Sequence, residues 1–205
     1  MHITLFLVIV TSAISVLAFY NPQWVEKLIF HPYEIWRKNE WHRLVSCSFI
    51  HADWIHLIFN MLALYSFGVM VEDVFGALFP GFGVTLYVLM YFGAVALADI
   101  YNLFTRRNDY YYRSLGASGG VAAVIFASIL FAPWSKIYLM FIPVGIPAFV
   151  FGPVYLAYCV YMAQRGGDHI AHTAHFTGAV FGFLFPLLLK PSLWGYFIRN
   201  IAGGL

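Results

Sequence analysis

Residues 169–189 read HIAHTAHFTGAVFGFLFPLLL, and the reading of this stretch decides the architecture. It is an apolar run of about the 20 residues a helix needs to cross the hydrocarbon core of a bilayer. Three histidines, His169, His172 and His175, recur at helical i, i+3, i+6 spacing. Gly178 and Gly182 form a Gly-x-x-x-Gly pair, which lets another helix approach very closely. A polar or ionisable side chain inside a span is costly, so it is a functional candidate by default. His175, the deepest of the three, is that candidate. His169 and His172, close to Asp168 and the loop before it, read as interfacial residues.

Working outward, similar runs recur along the chain. Spans are expected at about Ile3 to Phe19, Ala52 to Val71, Phe82 to Ile100, Ala117 to Pro133, Ala148 to Met162 and His169 to Leu189. Glu72-Asp73 ends the second of these, Gly76 to Gly83 makes the following turn, and Lys190-Pro191 stops the sixth. Between the first two lies a long connection from Asn21 to about Ile50. It mixes Trp24, Trp36 and Trp41 with Glu26, Arg37 and Arg43, a mixture suited to the membrane–water interface. Composition agrees: 62% of the 205 residues are hydrophobic and 10% charged, against about 25% charged in soluble domains. The reading is an all-α membrane protein of six spans forming one domain over residues 1–205, with no room for a second soluble domain. A net charge of +2 with no basic run gives no footprint for nucleic acid. No Lys or Arg precedes Ile3, so the first run reads as a retained span rather than a cleaved signal. Cys47 and Cys159 have the spacing of neither a disulfide framework nor a zinc site.

Two further groups of polar residues stand where apolar ones are expected. Gly116-Ala117-Ser118-Gly119-Gly120 opens the fourth span directly after a polar loop. Small neighbours would let a substrate backbone reach the Ser118 hydroxyl, and a helix N-terminus offers backbone N–H groups that stabilise developing negative charge. Taken alone, such a small-residue cluster is more often a packing surface. The natural partner of the Gly178/Gly182 face is this glycine-rich span, and their contact would bring His175 near Ser118. His56 and Asn60, at i, i+4 on the second span, share a face and can both donate hydrogen bonds. Donors of that kind aimed at a tetrahedral oxygen are often the largest catalytic contribution in acyl transfer; their bland role is bonding to neighbouring helices.

The ordered set is Arg43, His51-Ala52-Asp53-Trp54-Ile55-His56 with Asn60, Glu72, Gly116-Ala117-Ser118-Gly119, and His175 with Gly178 and Gly182. It resembles the rhomboid family of intramembrane serine proteases, in order and spacing, across nearly the whole chain. The resemblance implies a bacterial-type six-helix bundle with a long structured first loop. It implies that Ser118 attacks the scissile carbonyl, that His175 is its base without an aspartate, and that the Ser118 N–H, His56 and Asn60 form the oxyanion hole. Gly116 would belong to the same turn, and His51 and Arg43 would tie the first loop to the second helix. Ala122 departs from the pattern: many members carry an aromatic there that stacks on the histidine, so another ring orients His175 or it is held less tightly.

The expected substrates are single-pass or polytopic membrane proteins with helix-weakening residues at the cut, because an intact helix hides its amides. No cofactor and no metal is expected. The Pro/Gly-rich approach to the fifth span suggests a mobile element at the lateral opening. The resemblance implies a multi-pass protein of the bacterial inner membrane with a cytoplasmic N-terminus, whereas Lys and Arg, denser in the first and third loops, favour the reverse by the positive-inside rule. Two rival readings are an inactive relative that binds membrane helices, and a metal or ion site built from His51, His56, His169, His172 and His175. The first would typically have lost Ser118 or His175. The second lacks a His-Glu-x-x-His motif and the inverted repeats of a transporter.

Overall fold

The computed structural model describes residues 2–138, 143–166 and 170–203; Asp168 and His169 lie outside them. Helix α1 (Ile3–Tyr20) stops at Asn21, whose side chain caps α2 (Pro22–Leu28) by accepting from the Gln23 N–H. Proline at the first helical position also opens α3 (Pro32–Lys38), where its missing N–H costs nothing. Asn39, in the left-handed conformation at φ 59°, ends it. Helix α4 (Arg43–Ser46) runs into a 3₁₀ turn at Cys47–Phe49. The membrane helices follow: α5 (Trp54–Leu78), α6 (Gly83–Ala98), the short α7 (Ile100–Thr105) and α8 (Ser118–Phe131). A two-stranded antiparallel hairpin, β1 (Lys136–Ile137) with β2 (Ile146–Pro147), leads to α9 (Ala148–Arg165), α10 (His172–Leu189) and α11 (Ser192–Gly203).

Among the described residues, four helical stretches are long and apolar enough to cross a membrane: α1, α5, α6 with α7, and α10. Helix α8 is shorter, at 14 residues. It is the centre of the molecule, with every residue except Ser118 and Ile125 buried against α5, α6 and α10. The outer helices turn large apolar side chains outward, among them Ile9, Ile58, Leu62, Leu89 and Leu188. Such a surface requires lipid rather than water, and the chain is a helical integral membrane protein.

The α8–α10 contact is set by glycine. A Cβ built on Gly178 would lie 2.2 Å from the Gly119 carbonyl oxygen, and one on Gly182 would lie 2.1 Å from that of Ala123. No side chain fits at either position, and the glycine pair faces the helix expected for it.

Other expectations need correction. The second span does not end at Glu72-Asp73, because α5 continues to Leu78. Glu72 faces inward and caps α1, accepting from the N–H groups of Ile3 (2.8 Å) and Thr4 (2.9 Å) and from the Thr4 hydroxyl (2.7 Å). A charge with such partners punctuates nothing. The Pro/Gly-rich stretch forms the β hairpin at the end of α8 remote from Ser118, so it does not flank the opening beside the serine. The amphipathic α11 was not anticipated; it docks through buried Leu193, with Trp134 Nε1–H donating to the Asn200 carbonyl and the Tyr196 hydroxyl to that of Phe131.

Candidate active site

Ser118 is the first residue of α8, and the chain reaches it through a left-handed turn at Gly116, φ +118°. Any L side chain is strained at that φ. A Cβ there would also lie 2.8 Å from Cε1 of His56, so glycine lets the His56 ring lie directly on the turn. The first helical bond of α8 runs from the Val121 N–H to the Ala117 carbonyl (2.9 Å), so the N–H groups of Ser118, Gly119 and Gly120 have no partner within the helix. Gly119 and Gly120 do not open space for a substrate. A Cβ on Gly119 would meet that of Ala98 at 2.5 Å, and one on Gly120 would meet the Tyr91 ring at 2.8 Å. Both glycines serve the packing of α8 on α6.

Ser118, His56 and His175 line one cavity of about 680 Å³, together with Asp53, Ser114 and Ile170 among others. Ser118, His56 and His175 are each half-buried, able to meet both protein and water. Asp53 caps α5 by accepting from the His56 N–H at 2.8 Å, which fixes where the His56 side chain leaves the helix. Asn60, one turn below and buried, donates from Nδ2 to the His56 carbonyl at 3.0 Å. An amide has two such donors, so one remains for other work.

The turn before Ser118 is held by the segment between α1 and α5. Phe30 and Ser114 exchange a pair of backbone bonds (3.0 and 3.1 Å), and the Gly116 N–H donates to the Cys47 carbonyl (3.0 Å). The Ala117 N–H donates to His51 Nε2 (3.4 Å), while His51 Nδ1 lies 2.8 Å from the Ser15 hydroxyl. Nε2 is therefore the acceptor, and Nδ1 carries the proton and donates to Ser15, which passes its own proton to the Phe49 carbonyl (2.9 Å). Only neutral imidazole can do this. Burial, with His56 as a lesser cause, pushes the His51 pKa down to about 3 and keeps it neutral. Arg43 is buried and binds the carbonyls of Glu26 (2.7 Å) and Ile29 (2.9 Å) and the Glu40 carboxylate (2.6 Å). It closes the segment on itself, while His51 links that segment to α1 and to the turn before Ser118. Glu72, 16 residues beyond His56 on α5, lies roughly 24 Å away along the helix axis and takes no part in this site.

His172 is not interfacial. It is buried between α9 and α10, edge-on to Tyr158 (ring centroids 5.6 Å apart) and to His175 (6.1 Å). The ring beside His175 thus comes from its own helix, backed by α9, while Ala122 is buried in an apolar cluster with Phe126, Ile129 and Ala179. Sequence reasoning missed Tyr158 in this role. It also missed Asp99, which accepts from the Ser114 hydroxyl (2.7 Å) and from Asn102 (2.7 Å) to brace the loop leading to Ser118. Neither has a local pattern that marks it.

The chain is similar to known proteins over much of its length. Residues 38–192 match the family model of the Rhomboid domain. RHOMBOID-like protein 12, mitochondrial, of Arabidopsis thaliana is 27% identical over 86% of this chain and 55% of its own length. RHOMBOID-like protein 4 of the same plant is 33% identical over 80% of this chain and 39% of its own. Rhomboid protein 1, mitochondrial, of Saccharomyces cerevisiae is 28% identical over 73% and 42%. The chain thus spans between about two fifths and just over half of the length of these relatives. With the matched domain covering three quarters of the sequence, the chain belongs to the rhomboid family.

Proposed function

We propose that the chain is a serine-type intramembrane endopeptidase that hydrolyses peptide bonds in or near the transmembrane segments of membrane proteins. Ser118 Oγ attacks the scissile carbonyl. His175 accepts its proton and returns it to the leaving amine, and water then reverses the sequence on the acyl-enzyme. The developing oxyanion is met by the Ser118 N–H, the His56 ring and the free donor of Asn60. The observation that carries this reading is the shared cavity: Ser118, His56 and His175 line it together, with the helices of Ser118 and His175 in close contact at Gly119 and Gly178. Tyr158 and His172 take the orienting role of the aromatic that Ala122 replaces.

Hydrolysis needs water inside a bilayer. The 14 residues of α8 span roughly 21 Å, against about 30 Å of hydrocarbon. A helix this short, flush with one face, starts its serine below the other. Irregular backbone at that depth is tolerated only where protein shields it, and the segment between α1 and α5 supplies the shield. We read the chain as one domain of six spans, α8 and α9 being the two that fall short on length or apolarity, with that segment as the structured first loop.

In this reading the N-terminus lies in the cytoplasm or its equivalent, and the cavity opens on the opposite side. Four of the cations on the cavity side are paired in the fold, Arg43 with Glu40, Arg113 with Glu26, Lys38 with Glu34 and Arg106 with Asp109, while Lys27, Arg37, Arg107 and Arg165 are in no salt bridge among the described residues. Lys136, Lys190 and Arg199 lie at the other end. The orientation therefore runs against the positive-inside rule and rests on the family resemblance. A bacterial inner membrane is the location we propose. Substrate helices reach the cavity between α5 and α9, since α9 takes its packing from α10 and α8. A disulfide cross-link between α5 and α9 would leave cleavage unchanged if this route is wrong.

The deciding experiment replaces Ser118 with alanine and follows cleavage of a fluorescent transmembrane substrate in liposomes. Activity is expected to fall to background. Retained cleavage overturns the assignment, and a folded wild-type chain that binds but never cuts such substrates favours an inactive helix binder.

A further inference from the structure

Cys159 of α9 and His172 and His175 of α10 bring their Sγ and ring nitrogens within 4.8 Å of one another. Catalysis gives Cys159 nothing to do, and its spacing from the histidines in sequence gave no hint of the cluster; only the packing of α9 on α10 assembles it. We propose that these three side chains form a binding site for one thiophilic divalent ion of the zinc type, and that its occupation switches the protease off by taking the imidazole of His175. The inhibitory half rests on the dyad proposed above.

The donor set selects the ion. One thiolate and two imidazoles suit zinc and its neighbours, while a cluster with no carboxylate or carbonyl suits neither calcium nor magnesium. Zinc bonds of about 2.1 Å to nitrogen and 2.3 Å to sulfur put tetrahedral donors roughly 3.4–3.6 Å apart. Closing the cluster from its present spacing takes side-chain movements on the order of 1 Å. His172 and His175 are i, i+3 neighbours on one face of α10, and the facing helix adds the sulfur, so the donors converge from two sides. Cys159 and His172 are buried, at 1% and 4% exposure, whereas half-buried His175 opens to the cavity. The ion would enter from that cavity and keep its fourth position toward it, as three-ligand sites with an open position do. An outer shell is present as well: Tyr155 hydrogen-bonds Cys159, and the Tyr158 ring abuts His172. A His175 nitrogen held by the ion cannot accept the Ser118 proton, so the bond-forming step stops without any covalent change.

The test uses the full chain, chelator-treated and reconstituted in liposomes. Zinc chloride is titrated against cleavage of the transmembrane substrate, and metal content is measured separately by mass spectrometry after desalting. Wild type is expected to hold one zinc per chain, to lose at least nine tenths of its activity and to recover it with EDTA. Ser118→Ala is expected to hold the same zinc although it cannot cut. Cys159→Ser and Cys159→Ala, each compared with itself with and without zinc, should need at least about tenfold more metal, since even outer-shell changes cost 10–100-fold. Cys47→Ala should respond as wild type does. Zinc inhibition that survives both Cys159 substitutions overturns the proposal, as does the absence of stoichiometric zinc from wild type and Ser118→Ala. Failure of the metal-free chain to cut counts instead against the protease reading, and leaves the zinc content to judge the site.

Discussion

Gly178→Ala tests whether helix packing sets the catalytic geometry. The new methyl would lie 2.2 Å from the Gly119 carbonyl oxygen, whereas carbon–oxygen contacts in proteins begin near ~3.3 Å. The helices must separate locally by about 1 Å, because the obstacle is backbone and cannot rotate away. Gly119 follows Ser118 directly, and Gly178 lies three residues, roughly 4.5 Å of helix, beyond His175. The separation therefore falls between the two side chains of the proposed dyad. A 1 Å misplacement of reacting groups costs on the order of 100-fold in rate, while overpacking costs about 1–3 kcal/mol of stability. Gly182→Ala makes an equally severe contact, 2.1 Å from the Ala123 oxygen, but lies seven residues, roughly 10 Å, from His175. Steady-state cleavage and thermal unfolding in the same detergent separate the two effects. Both variants should lose similar stability, and only Gly178→Ala should lose about 100-fold in kcat with KM little changed. Equal losses of kcat in both, or a wild-type rate in Gly178→Ala, would refute the link between this contact and the placement of His175.

Gly116→Ala should abolish most activity at modest cost in stability, because the turn is left-handed and the methyl displaces the His56 ring; a loss of roughly 100-fold or more in kcat is the scale of a missing oxyanion donor. Glu72→Gln should behave oppositely. It weakens the cap on α1 by about 1–3 kcal/mol, seen as a lower unfolding temperature, with kcat per folded molecule unchanged. His51 makes stability depend on pH. Its folded pKa, pushed down to about 3, lies below the ordinary 6.5, so only the unfolded state gains a proton as pH falls through 6.5. The stabilisation is full above that value and is lost progressively toward pH 3, by about 2 kcal/mol at pH 5. Thermal unfolding from pH 7.5 to 4.5 checks this, and His51→Gln should flatten the slope.

What the sequence made legible follows from what each contact demands of a residue's identity. Gly178 and Gly182 announce close approach because no other residue fits against a carbonyl 2.2 or 2.1 Å from the Cβ position, and the partner helix could be named from its own glycines. His56 and Asn60 share a face because four residues make one turn. The end of α5 was misjudged because the partners of Glu72 lie 68 and 69 residues away, a distance no local pattern crosses. Gly119 stayed open between two roles for a related reason: a small residue states that something is close, not whether it is substrate or Ala98. Cys159, Tyr158 and Asp99 carry no periodicity at all, and only the packing of helices gives them neighbours. The helix α11 was missed because its apolar stripe is short and follows Pro191, where the sixth span had stopped.

The remote conserving of bonds around Ser118 explains why so much of the molecule precedes it. In the proposed placement Ser118 lies below the membrane surface and is reached by non-helical backbone, each N–H of which costs several kcal/mol if left unsatisfied in hydrocarbon. Along the approach, the Ser114 N–H goes to Phe30, that of Gly116 to Cys47 and that of Ala117 to His51. All three acceptors lie in the segment between α1 and α5. The Gly116 and Ala117 bonds end where the helix takes over, and the proposed mechanism draws its backbone donor, the Ser118 N–H, from the position just beyond them. Were Ala117 to lose its acceptor, its N–H would turn toward water or the cavity and the turn would lose its register with His56. The buried Arg43 closes that segment on itself through the Glu26 and Ile29 carbonyls, next to Phe30, which pairs with Ser114. A reading that looks only for side chains near the nucleophile would assign Arg43 no part.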